Sequence, residues 1–290
     1  MKRSLIVNAD DFGYTRGVNS AIARCCAEGI LRSTTIMANG AAFEHGVAVA
    51  KASGRLGVGV HLVLTELAPL APAGELPGLV GEDGLMPASP GALAKAAALG
   101  RLSRETIRKE LDRQVSRVLD CSIPVTHLDS HKHVHILPVV LDAALDVARK
   151  YRIGWIRNPF DRTPPVGILG VLDQKELFLK QYAEARAIFL LRRAFFERIR
   201  KAGLRTPDRF YGIGLTGIWT EAAAERLVKA LPPGVSEWMV HPGDCDAELR
   251  ANRTRLLESR EAERNILLSP AVAGLLKKYD VHLQHFGEDF

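Results

Sequence analysis

Short β-branched and apolar runs alternate along this chain with longer stretches in which apolar positions recur three and four residues apart. The short runs fall at 5–9, 33–37, 57–62, 125–128, 154–157, 210–213, 237–241 and 281–283, and each reads as a buried strand. Between them lie amphipathic stretches such as "GVNSAIARCCAEG" and "SRETIRKELDRQVSRVLD", the second carrying Ser103 three residues before Thr106 in a capping position. Strand followed by helix, repeated, predicts an all-parallel sheet. About eight strands and no linker-like break in composition favour an α/β fold, a TIM-like (β/α) barrel formed as a single domain over 1–290, above an open doubly wound sheet. Two long stretches interrupt the alternation, near 68–100 and 159–207, and segments of that length are expected to form lids or substrate walls.

Chemistry-bearing residues sit where the strands run out. Asp10 and Asp11 end the first strand in "SLIVNADDFGYTRG", and His61 ends "GVGVHL". "THLDSHKHVH" follows the fourth strand, Arg157 ends the fifth in "IRNP", and His241 ends "EWMV" at "HPGD". Strand carboxyl ends converge on one face in parallel (β/α) architectures, so separate segments point to one site. A carboxylate with two imidazoles can hold a divalent cation and leave positions open for water and substrate, and Asp11, His61 and His131 are the expected ligands. Asp10 is then placed to act as general base, paired with Arg157. The donor set favours zinc; iron, cobalt, nickel and manganese suit it too, and magnesium does with added waters.

Each of these residues also has an ordinary explanation. Adjacent aspartates often mark a turn or a cap, and Asp11 could cap the helix beginning near Thr15. A lone histidine such as His61 is usually structural. The cluster of His127, Asp129, His131, His133 and His135 at alternate positions is harder to dismiss, with Asp129 read as an orienting carboxylate and His127 and His135 as supports. "GIGLTG" at 212–217 resembles a nucleotide-binding fingerprint only in its glycines.

Composition narrows the class. The 290 residues are 47% hydrophobic, enough for a substantial core, and the net charge of +6 is spread among 33 acidic residues, which gives no nucleic-acid signature. The apolar run after Lys2 and Arg3 is too short for a signal peptide, and no stretch is long enough to span a membrane. Four cysteines without a CxxC spacing read as reduced, hence a cytoplasmic protein, and Cys245 has no evident activating partner.

"IVNADDFG", "STTIMANG", "GVGVHLVLT", "THLDSHKHVH", "IRNP" and "HPGD", in this order, resemble the YdjC-like carbohydrate deacetylases, the group that includes chitooligosaccharide deacetylase. The stretches "DQKELFLKQYAEARA" and "LLRRAFFERIRKAGLRTPDRFYGI" are similar to its hopanoid biosynthesis-associated branch. The resemblance implies a deformed barrel of the polysaccharide deacetylase type and metal-dependent removal of acetyl from an N-acetylated amino sugar. Asp11, His61 and His131 match the family's metal ligands, Asp10 its base and His241 its acid, with Asp244 or another carboxylate setting the tautomer of His241. Tyr211 and Trp219 are then expected to supply sugar-stacking surface. An N-acetylglucosaminyl hopanoid lipid is the implied substrate and diacetylchitobiose the soluble alternative. A metal-dependent phosphoesterase and a nonenzymatic sugar-binding protein are the rival classes. On a continuous helix over 186–205, Ile188, Leu191, Phe195 and Ile199 would share one face and Arg186, Arg193, Glu197 and Arg200 the other. By itself such a helix reads as packed on the barrel with a solvated basic face; with the hopanoid-associated resemblance, the alternative is that it docks at an anionic membrane or accepts the lipid part of a glycolipid, which would place a cytoplasmic protein peripherally at the inner membrane surface.

Overall fold

A computed structural model describes residues 2–288. Among them seven strands form one sheet: β1 (Arg3–Phe12), β2 (Ser33–Ile36), β3 (Gly57–Leu62), β4 (Val125–Ser130), β5 (Arg209–Tyr211), β6 (Gly234–Val240) and β7 (Val281–Gln284). Every pairing is parallel, in the order β4-β3-β2-β1-β6-β5, with β7 added against β1. The central strand is shared: Arg3–Ile6 pair with β7, whereas Asn8 and the residues after it pair with β2. β2 and β3 are buried at every position, which is why they read as apolar or small runs rather than as alternating patterns. The sheet curls into a half-barrel, the deformed TIM-like form of an α/β single domain.

The run 154–157, expected to be a strand, is not one. Its backbone makes only isolated parallel bridges, Leu128 with Ile156 and Trp155 with Arg205, and Asp161 bridges Phe210 a few residues later. Consecutive amides reach opposite ways, Ile156 N–H to Arg205 O and Arg157 N–H to Leu128 O. Pro159 follows too closely for a ladder to develop. This irregular segment spans the gap between β4 and β5, so an eighth position around the barrel is filled without a strand.

Helices cover the sheet through buried apolar stripes. On Arg104–Asp120, Ile107, Leu111, Val115 and Val118 are buried, and the Ser103 hydroxyl accepts from Thr106 N–H at 2.9 Å. The stretch 184–203 is not one helix. Helix Lys175–Ala187 gives way to a 3-10 turn, Ile188–Leu191, before helix Arg192–Ala202 begins. Phe195 and Ile199 are buried, and Arg198 pairs with Asp142 of the helix Pro138–Tyr151 at 2.9 Å. The apolar face of this segment is packed on the barrel, as the ordinary reading expects, and Leu190 in the turn is left 90% exposed. No helix among the described residues is long and apolar enough to cross a membrane.

Candidate active site and metal centre

Neighbouring side chains on a regular strand point to opposite faces, yet Asp10 and Asp11 both serve one site. The reason is local: Asp11 adopts a left-handed backbone with φ 65°, a conformation that aspartate tolerates better than most residues, and the β1–β2 register shifts between Ala9 and Phe12. A turn follows, with Tyr14 N–H bonded to Asp11 O at 3.0 Å and Gly13 at φ 88°, where an added Cβ would meet Met37 O at 3.1 Å. Asp11 does not cap the next helix. That task falls to Thr15, whose hydroxyl accepts from Val18 N–H, and the Asp11 carboxylate is left for the site.

Asp11, His61 and His131 offer three ligand atoms that all lie within 4.8 Å of one another. Asp11 Oδ1 is 3.5 Å from His61 Nε2 and 3.3 Å from His131 Nδ1, and it is buried with no hydrogen-bond partner. Its other oxygen is taken by Arg260, whose Nη2 donates at 2.6 Å. An orphaned carboxylate oxygen facing two imidazole nitrogens fits a divalent cation of the kind a two-histidine, one-carboxylate set binds. Each imidazole is backed on its far nitrogen by a carboxylate: His61 Nδ1 lies 2.8 Å from Asp129 Oδ1, and His131 Nε2 lies 3.3 Å from Glu66 Oε2. Such partners fix ring orientation and raise ligand basicity. Burial opposes charge on both rings, but the surrounding carboxylates prevail, raising His61 and lifting His131 to about 9.

A second grouping, Asp10, His61 and Asp129, has similar spacing but a cation of its own. The buried Arg157 grips Asp10 through both terminal nitrogens at 2.6 Å, lies 2.7 Å from Asp129 Oδ2, and donates through Nε to Glu237 at 2.7 Å. Burial pushes the Asp10 carboxyl upward, yet Arg157 outweighs it and holds Asp10 well below the usual range. Glu237 goes the other way: burial, with Asp10 and Asp129 nearby, lifts it to about 8, so it is a neutral carboxyl near pH 7.

The remaining histidines divide by surroundings. His127 stacks on Phe286 with ring centroids 3.7 Å apart and is packed in the barrel interior. His135 is pushed down to about 3 by burial and the charge of Arg157; it contacts Ser130 Oγ at 2.6 Å and Arg157 O at 3.3 Å, tying the end of β4 to the irregular segment. His133 lines the same cavity as Asp11, His61 and His131, and both it and Lys132 have left-handed backbones, so the cluster shares neither a strand nor a helix face beyond Ser130.

His241 stands at the end of β6 on the same cavity. Burial pushes it down to about 4, so the imidazole is neutral near pH 7. Asp244 does not orient it, because that carboxylate is paired with Arg264. The carboxylate beside it is Glu263, which accepts from His241 N–H at 2.6 Å and stands 3.9 Å from its Nδ1. Arg260 and Glu263, one turn apart on the helix Glu258–Leu268, thus support Asp11 and His241 respectively.

These groups open onto a cavity of about 590 Å³. Tyr14, Gln181 and Glu184 line it, as do Arg253 and Arg255, so the 159–207 segment supplies part of the wall. Among the described residues, 68–100 supplies none; its start is anchored elsewhere, with Leu70 and Ala71 N–H donating to Glu110. Tyr211 and Trp219 do not face this cavity. Both are buried against a separate cleft, so sugar stacking on them is excluded by position.

Fold and site together define a barrel-type α/β protein with a carboxylate–histidine grouping at its strand ends that could hold a metal ion. The chain belongs to the YdjC-like protein family, which residues 4–278 match. It is 30% identical over 284 residues to a carbohydrate deacetylase of Thermoanaerobacter pseudethanolicus, covering 97% of each chain. A carbohydrate deacetylase of Geobacillus stearothermophilus is 32% identical over 288 residues, covering 99% of this chain and 98% of the other. A chitooligosaccharide deacetylase of Enterobacter sp. is 40% identical over 153 residues, 52% of this chain and 57% of that one. Among solved structures, a putative cellobiose-phosphate cleavage protein from Enterococcus faecalis V583 superimposes with a TM-score of 0.75 at 26% identity, covering 99% of this chain and 98% of that one.

Proposed function

We propose that this protein is a metal-dependent carbohydrate deacetylase that removes the N-acetyl group from an N-acetylated amino sugar. The observation that carries the reading is the orphaned Oδ1 of Asp11 facing two carboxylate-backed imidazoles, beside an aspartate clamped by a buried arginine. The relatives named as carbohydrate and chitooligosaccharide deacetylases support it.

Asp11, His61 and His131 would hold one divalent cation, with zinc favoured, and such an ion supplies a Lewis acid for the acetyl carbonyl. Asp10 is ionised at every working pH and is fixed by Arg157 at both oxygens, so it is ready to take the proton of the attacking water. Cleavage of the amide expels an amine, which needs a proton, and neutral His241 across the cavity is the group to relay it. Glu263 holds the His241 backbone in place. The polar lining, which includes Gln181, Glu184, Arg253 and Arg255, suits a hydroxyl-rich substrate.

The finer substrate in this reading is an N-acetylglucosaminyl lipid of the hopanoid type, met at an anionic membrane surface by exposed Leu190, Arg192 and Arg193. Soluble diacetylchitobiose is the alternative. A two-ion phosphoesterase is disfavoured because the second grouping already encloses the Arg157 guanidinium. Acetate release from N-acetylglucosamine conjugates by metal-loaded protein, with p-nitrophenyl phosphate as the counter-substrate, tests the reading. Phosphate release without acetate release would overturn it.

A further inference from the structure

The 3-10 turn Ile213–Leu215 separates two concavities. Ile213 lines the catalytic cavity, whereas Leu215 lines a cleft of about 450 Å³ on the other side. The cleft is graded in polarity. Buried Leu215 and Trp219 line its depth, half-buried Leu227 continues the apolar wall, and exposed Val166 stands at the mouth. Every charged residue along it is basic: Arg162, Arg226 and Lys229. Lys229 is paired with Glu225, but among the described residues Arg162 and Arg226 have no carboxylate partner. Around Arg162 the excess is larger still, for Arg186, Arg192 and Arg209 are close enough to add their like charge to the cost of its partial burial. An apolar slot whose mouth carries unneutralised guanidinium groups is complementary to one kind of small molecule, a hydrocarbon chain ending in an anion.

We propose that this cleft is a second binding site, separate from the catalytic cavity, for a medium-chain fatty carboxylate whose chain lies along Leu215, Trp219 and Leu227 and whose carboxylate meets Arg162 and Arg226. It does not depend on the reading of the catalytic site. Trp219 supplies a fluorescence signal at the site itself.

The test is titration of the full chain with monomeric decanoate, followed by tryptophan fluorescence and calorimetry, with 1-decanol as the uncharged probe of equal length. Saturable binding of one equivalent is expected, with decanol about tenfold weaker or worse, because losing the charge forfeits the guanidinium contacts. The double variant Arg162→Gln, Arg226→Gln should raise the decanoate Kd about tenfold or more, and Val166→Glu, at the exposed mouth, should weaken binding in the same sense. Both should retain acetate release and thermal stability. His131→Ala should bind decanoate as tightly as the parent. Equal affinity for decanol, an unchanged Kd in the double variant, or loss of binding in His131→Ala would overturn the proposal, the last by placing the carboxylate at the metal centre. Binding to anionic vesicles without binding of monomeric decanoate would also overturn it, reassigning the arginines to a membrane surface.

Discussion

Arg157 and Asp10 form a two-pronged ion pair, 2.6 Å on each side, with both side chains buried and 147 positions apart in sequence. A lysine would keep the charge but could not span both oxygens while also reaching Asp129 and Glu237. Arg157→Lys should therefore lower turnover steeply and lower the melting temperature. Removing one partner of a buried pair costs about 3–5 kcal/mol, and the lysine recovers only part of that. Unchanged turnover would show that Asp10 needs no such support.

Asp10→Asn isolates the chemical role. The amide keeps the size of the side chain and leaves Asp11, His61 and His131 untouched, so metal content should be preserved while turnover falls about 10²–10⁴-fold, the usual worth of a positioned base. Elemental analysis alongside acetate release decides it; near-parent turnover would move the base role elsewhere.

Metal affinity should depend on residues in two tiers. His61→Ala and His131→Ala should lose the ion while the protein stays folded, since the strands and helices carry the core. Glu66→Gln should keep the ion but bind it about 10–100-fold more weakly, because the carboxylate behind His131 Nε2 is gone. Chelator competition measures all three. An affinity unaltered in Glu66→Gln would reduce that contact to a surface pairing with Lys132.

The site candidates were visible in sequence because strand ends in a parallel barrel gather chemistry-bearing residues: Asp10, Asp11 and His241 come as apolar runs give out, His61 stands near the end of "GVGVHL", and His131 belongs to the alternating histidine cluster. Their supports were not. Arg260 meets Asp11 from 249 positions away, on a helix so rich in charge that an arginine and a glutamate three apart read as a solvated face. Only the tertiary fold turns that face inward. The left-handed backbones of Asp11, Lys132 and His133 were equally hidden, as no glycine announces them. Aromatic residues misled for a related reason: Tyr211 and Trp219 neighbour site-lining positions in sequence, but the turn between them sends them to the other cleft.

Glu237 makes stability depend on pH in a defined direction. Burial lifts its pKa from 4.5 to about 8, so between those values the folded chain holds a proton that the unfolded chain has released. Stability from this group then falls as pH rises through that window. Glu237→Gln cannot titrate, so its melting temperature relative to the parent should be higher at pH 8 than at pH 5, with metal content held equal. A difference that is flat with pH would mean that Glu237 does not carry this proton.

His241 bears on how the amine leaves. Its imidazole, pushed down to about 4 by burial, is neutral in the free protein near pH 7, so it cannot begin the reaction as the acid. It must first receive a proton, and the nearest source is the one that Asp10 removes from water. Asp10, held below the usual carboxylate range, has little hold on that proton, and the two groups lie close enough to feel each other's charge. A relay of this kind matters most when the departing amine is strongly basic. His241→Ala should therefore lose the most turnover, about 10²–10⁴-fold, on N-acetylglucosamine conjugates, and progressively less on acetanilides bearing electron-withdrawing groups, whose amines leave with little help. Metal content should be unchanged, because His241 is outside the Asp11, His61 and His131 grouping. Plotting the rate loss against leaving-group pKa gives the answer: a positive slope assigns the proton delivery to His241, and a horizontal line assigns it only a place in the cavity wall.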